Sequence, residues 1–218
     1  MHIKKIAKRP VAALLGLMVA ITAMSPAPVN ASVIAFDTFG AGNSFNPDFL
    51  YGVDGNAAFQ AFQFTPTSSG ALAAITVAIG RNGAGTVNTQ FDLFADNGNT
   101  LGALLESTLV PNTVPVDSTD PFTAGLISFS SVVQPILIVG QSYWLSITEP
   151  NAIDGSNSLW FNNDQGILGQ RITAVQSGIG SSLPAFRVEV TQILEPGTLA
   201  LFGLGLAGLG FARRKRMM

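Results

Sequence analysis

The chain contains no cysteine. Disulfide staples, thiol nucleophiles and thiolate metal sites are therefore excluded, and stability has to come from packing and backbone hydrogen bonds. Histidine is almost missing as well, since His2 is the sole example. From Ser32 to Glu195 there is no histidine, cysteine or lysine. A Ser-His-Asp triad, a Cys-His pair and a Schiff-base lysine each lack a required partner in that stretch. A zinc site would have only carboxylates to use, and a phosphate-binding loop would lack its lysine. Positive charge is just as scarce there. Of 11 lysines and arginines, four crowd the first nine positions and four occupy 213–216, leaving Arg81, Arg171 and Arg187. All 13 acidic residues lie between Ser32 and Glu195, so three cations against thirteen carboxylates leave this body at −10. Such a surface does not track nucleic-acid phosphates or anionic lipid. It suits solubility outside a cell, cation binding, or contact with neutral glycans.

What is present at the N-terminus is a targeting pattern. Lys4, Lys5, Lys8 and Arg9 precede an apolar stretch from Val11 to Ala23. Val29-Asn30-Ala31 then offers a small-residue cleavage site, with Ser32 as the new first residue. Residues 1–31 read as a signal peptide.

The C-terminus carries a second signal. Ile193-Leu194-Glu195-Pro196-Gly197 is followed by an apolar run, Thr198 to Ala212, and then by Arg213, Arg214, Lys215 and Arg216. Proline cannot continue a preceding strand, so Pro196 ends the domain and leaves an accessible peptide. The run can enter lipid as a helix, with its backbone bonds satisfied internally. Four adjacent cations stop it on the cytoplasmic side. Its 15 residues fall short of the ~20 of a comfortable span, which suits a transient, removable transmembrane helix. This order of Glu-Pro, apolar helix and basic stop resembles the PEP-CTERM tail recognised by exosortase in many Gram-negative bacteria. Leu194 stands where the family pattern usually has a proline, while Glu195 and Pro196 match it. The resemblance implies an exosortase-type processing enzyme as partner and a precursor held briefly in the inner membrane. It also implies a cell-surface or extracellular destination rich in exopolysaccharide, such as a biofilm.

Between the signals, residues 32–192 form one ectodomain with alternating segments typical of half-buried strands. These are Ala58–Phe64, Leu72–Ile79, Gln90–Phe94, Leu104–Val110, Leu126–Phe129, Ser142–Thr148, Ser158–Phe161 and Phe186–Val190. Turn-forming residues separate them, and Asp96-Asn97-Gly98-Asn99 is the clearest turn. No helical periodicity is present. The pattern predicts an all-β antiparallel sandwich or jelly roll. Phe36–Gly55 and Gly166–Pro184 are turn-rich and are expected as long loops. The body also resembles the choice-of-anchor ectodomains in three pieces. These are Phe59–Phe64 leading into Leu72–Ile79, Phe91–Phe94 with Gly98 and Leu101–Leu105, and Val139–Leu145. The resemblance implies a β-sandwich and supplies no catalytic residue.

Three chemistries remain open. Calcium binds clusters of carboxylate, amide and carbonyl oxygens, and Asp96, Asn97, Asn99 and Asp164 lie in oxygen-dense turns. Sugar rings stack on exposed aromatics, for which Tyr143, Trp144 and Trp160 are candidates, with Tyr51 and Phe161 beside them. Neighbours in a strand point to opposite faces, so one of Tyr143 and Trp144, and one of Trp160 and Phe161, should face away from a shared core. A carboxylate-only glycosidase would draw on Glu106, Glu149, Glu189 and the aspartates, paired about 5–10 Å apart. The expectation is a non-enzymatic surface or matrix protein without a cofactor other than calcium. Its body is either a glycan-associated module or an inert building block.

Overall fold

The structure, a computed structural model, describes residues 31–53, 59–82, 87–112, 124–150, 157–173, 177–192 and 202–206. The strands in chain order are β1 (Ser32–Asp37), β2 (Asn46–Val53), β3 (Gln60–Phe64), β4 (Gly70–Asn82), β5 (Val87–Asp96), β6 (Leu101–Asn112) and β7 (Ala124–Ser130). There follow β8 (Ile136–Leu137), β9 (Tyr143–Thr148), β10 (Asn157–Asn162), β11 (Leu168–Thr173), β12 (Ser177–Ser182) and β13 (Phe186–Thr191). They make two antiparallel sheets. One runs β1-β13-β4-β10-β2, with β7 and β8 also pairing β4. The other runs β12-β11-β3-β9-β5-β6.

The sheets share one core because period-two alternation puts one side of each strand inward. Phe62, Phe91, Leu145 and Ile147 come from the second sheet, and Val77, Ile79, Trp160 and Phe186 from the first. Trp160 is the hub. Its ring stands edge-on to Phe62 at 5.4 Å and to Phe91 at 5.6 Å, so it joins the two layers. Burial of each such side chain stabilises by roughly 1.5–3 kcal/mol before entropy is counted.

The eight segments predicted from alternation all carry strands, within a few residues at their ends. The two expected long loops are corrected. Phe36–Gly55 holds the end of β1, a 3₁₀ turn at Ala41–Asn43 and β2. This stretch is organised by tertiary bonds rather than by its own periodicity. The Thr38 hydroxyl accepts from the Phe186 amide at 2.8 Å and donates to the Pro184 carbonyl at 2.7 Å. Asp37 pairs with Arg187 at 2.7 Å, and Arg187 also donates to Asn43 at 2.7 Å. Phe39 and Phe45 then fold over the outer face of the first sheet against Ala78, Leu159 and Phe161. Gly40 permits the close approach, since a Cβ there would run into Ser44, Asp164 and Gln165.

Gly166–Pro184 likewise contains β11 and β12, with β11 adding to β3 through Arg171 opposite Phe62. The Arg171 guanidinium lies over the Tyr51 ring, 5.0 Å from its centroid. Residues 202–206 are helical, with Phe202, Leu204 and Leu206 exposed. No helix among the described residues is long and apolar enough to cross a membrane. The predicted signal peptide up to Asn30 and the rest of the predicted helix 198–212 lie outside the described residues.

Candidate functional site

The two ends of the body meet. Ser32 stands opposite Thr191 and Val33 opposite Val190 across the β1–β13 ladder. The Ser32 hydroxyl donates to Glu189 at 3.0 Å. Ala31 and Ser32, the expected cleavage pair, are exposed, as is Gln192. Thr191 in turn pairs with Ala71 at the start of β4, and β8 pairs the same start through Gly70–Leu137 and Ala71–Ile136. Glu195 and Pro196 follow Gln192 within four residues. They and the basic stop, Arg213, Arg214, Lys215 and Arg216, lie outside the described residues.

The three aromatic glycan candidates are brought into the interior, not to a surface. Tyr143 joins the central core, and its hydroxyl accepts from the Ile138 amide at 3.0 Å. Trp160 is fully buried, and its indole N–H donates to the Ala185 carbonyl at 3.2 Å. Trp144 points to the opposite face from Tyr143, as alternation requires, yet it too is fully buried. Its indole N–H donates to Asp96 at 2.7 Å. Phe161 faces away from Trp160 and is covered by Phe45, with ring centroids 5.7 Å apart. The expectation that one ring of each pair faces away from the core holds in direction. Tyr143, Trp144 and Trp160, candidates for sugar stacking, offer no accessible face, because both sides are covered at those positions. Tyr51 is engaged as well, by Arg171, by Phe62 at 4.7 Å and by a 2.6 Å bond from its hydroxyl to the Ser182 carbonyl. Among the described residues of the body, the exposed aromatic is Phe49 on the edge strand β2, at 65%. Asn46-Pro47-Asp48 just before it resembles a loop, which masks the strand in the sequence pattern.

The calcium candidates are occupied by the protein itself. Asp96 accepts from Trp144, from Gln63 at 2.9 Å and from the Asn99 amide at 3.2 Å. Asn99 accepts from Gln63 at 3.3 Å, and the Asn97 carbonyl accepts from Thr100 at 2.6 Å. Burial pushes the Asp96 carboxyl up, but the bonds from Trp144, Asn99 and Gln63 outweigh it and hold the group below its ordinary value. Asp164 is a separate case. Bonds from Ser44 and Gln165 hold its carboxyl low, and the neighbouring Asn163 organises the turn through Ile167 and Leu183. Among the described residues no three metal-ligating side chains of the His, Cys, Asp or Glu type converge.

The glutamates are likewise engaged in separate places. Glu106, nearly buried, accepts from the Ser131 hydroxyl, from the Val132 amide at 2.7 Å and from the Val133 amide at 3.4 Å. It clamps the turn that follows β7. Glu149 accepts from Ser158, whose hydroxyl also meets that of Thr89 at 2.5 Å across the two sheets. Glu189 holds Ser32. An open groove of about 380 Å³ lies beside β3 and β11, lined by Phe36, Phe64, Leu168 and Gln170 among others.

Residues 195–216 match the family described as the PEP-CTERM protein-sorting motif. The chain therefore carries an exosortase sorting signal. That signal implies export, processing at the membrane and surface localisation. No curated protein matches the chain.

Proposed function

We propose that this is a surface or extracellular-matrix protein without catalytic activity, sorted by exosortase and associated with exopolysaccharide. The observation that carries the reading is the sorting motif over 195–216, attached at an edge where both ends of a compact β body meet. The signal peptide delivers the chain across the inner membrane, the tail holds it there, and processing releases a cysteine-free acidic body. Support for the absence of catalysis comes from the residue inventory and from the glutamates, which are occupied in structural contacts. Its β body is jelly-roll-like and resembles the choice-of-anchor ectodomains through Phe59–Phe64 with Leu72–Ile79, Phe91–Phe94 with Gly98 and Leu101–Leu105, and Val139–Leu145.

The polysaccharide contact falls on Phe49, whose exposed ring offers the flat apolar face that a pyranose needs. The test is binding of the released protein to exopolysaccharide from the same culture. Saturable binding that is lost in Phe49→Ala supports the reading. Equal binding by the variant, or none by either form, overturns the Phe49 contact.

A second reading is favoured by the burial of Tyr143, Trp144 and Trp160. The body is then a building block of the surface layer with no ligand. It predicts no binding in either form, with and without calcium.

A further inference from the structure

We infer that the loop after β7 rests on lipid while the tail holds the precursor, so that one pole of the body faces the bilayer. The inference rests on the reading of the tail as a membrane-held sorting signal. Five aliphatic side chains on this short loop, Val132, Val133, Ile136, Ile138 and Val139, are between 45% and 86% exposed. A soluble body does not normally display so many together without a surface to cover them. Residues 131–142 contain no charge at all.

The loop is held firmly in place. The Ser131 amide donates to Ala73 at 2.9 Å, and the Pro135 carbonyl accepts from Leu72 at 2.9 Å. The Val139 amide donates to Ser69 at 2.8 Å, and Glu106 clamps Val132 and Val133. Leu137 between the exposed residues is fully buried and acts as the anchor.

The position of the loop selects its partner. Ile136 pairs with Ala71, and Ala71 pairs on its other side with Thr191. Thr191 stands opposite Ser32, and the chain leaves this pole toward the apolar run 198–212 of the sequence. Six residues separate Thr191 from Thr198, a reach of at most roughly 25 Å. A body of this length has a radius of gyration of about 15 Å, so the tether is too short to let the far pole turn inward. Charged groups near this pole are acidic: Asp96, Glu106 and Glu189. The contact is therefore apolar, of the kind made by side chains that sit at the headgroup boundary. Tethering supplies the local concentration that a loop this small lacks by itself, so the contact ends when the tail is removed.

The lack of native cysteine allows a unique label. Full chains carrying Val133→Cys, Val139→Cys or Asn82→Cys are labelled with an environment-sensitive fluorophore and reconstituted in phosphatidylcholine vesicles. Asn82, exposed at the opposite end of β4, is the control. Flotation first reports whether the chain is held. In floating chains the account expects blue-shifted emission and quenching by brominated lipid at 133 and 139, and neither at 82. Adding Val132→Asp should abolish the shift at 139 without loss of flotation. Floating chains whose labels at 133 and 139 behave like that at 82 overturn the inference. Failure to float overturns the anchoring reading and the inference with it.

Discussion

Ser32 and Thr191 face each other across the β1–β13 ladder, although 158 residues separate them in the chain. Cysteines at these two positions should therefore cross-link readily in an oxidising compartment, since opposed residues of antiparallel strands lie within disulfide reach. Closing so long a loop should stabilise the body by about 2–4 kcal/mol. Comparison of the oxidised and reduced double variant by thermal unfolding checks this. No cross-link, or a bond that lowers the melting temperature, would show that the ends do not meet.

Gly70 lets the C-terminal strand lie close to β4. A Cβ there would run into the carbonyl of Thr191 and come within 3.0 Å of the Val190 Cβ. Backbone cannot move aside as a flexible side chain can. Gly70→Ala should cost about 1–3 kcal/mol, and amide exchange should be fastest at Val190 and Thr191. Gly98→Ala has open space around its Cβ but a φ of 63°, so its penalty should come from backbone strain and leave Thr191 protected.

Asp96 links the turn after β5 to the buried indole of Trp144. Asp96→Ala leaves that donor unpaired and should cost about 2 kcal/mol. The folded-state carboxyl titrates below its ordinary value of 3.8. Its contribution is therefore fully present above that value and is lost as the pH falls through the lower folded value. Wild-type and Asp96→Asn melting temperatures, compared from neutral pH downward, should differ most at neutral pH and converge in acid. A gap that widens in acid would contradict the assignment.

Both tryptophans are fully buried. Acrylamide should quench neither until the protein unfolds, and polysaccharide should leave the emission unchanged. Trp160→Ala removes the ring that joins the two sheets and should cost about 3–5 kcal/mol. Phe49→Ala, at an exposed edge position, should change stability by less than about 0.5 kcal/mol. A spectral shift on adding polysaccharide would place a tryptophan at the contact.

Alternation was legible wherever a strand buries one face and is flanked by turn residues, as at Leu72–Ile79 and Phe186–Val190. It was illegible in β2, β11 and β12, whose Asn46-Pro47-Asp48, Gly169 and Gly178-Ile179-Gly180 read as loops. Those strands exist because partners claim them: β10 for β2, and β3 for β11. The aromatic positions failed for a related reason. Alternation gives the direction of Trp144 and Phe161 but not whether another layer waits there. Phe45, 116 positions upstream, covers Phe161 through a contact that local sequence cannot announce. The turn at Asp96 is legible as a turn, but the indole that occupies its oxygens comes from β9 and is invisible to local sequence. The sorting tail was the most readable feature, because its signal is linear and needs no partner strand.

The central claim is that the chain is made as a precursor and released by processing at the Glu195-Pro196 tail. The direct measurement is the intact mass of the protein recovered from the cell surface or medium, in cells with and without exosortase activity. The account predicts a species that begins at Ser32 and lacks the apolar run and basic stop, replaced without exosortase by one that keeps residues through Met218. Surface protein that retains 198–216 in cells with active exosortase would contradict it.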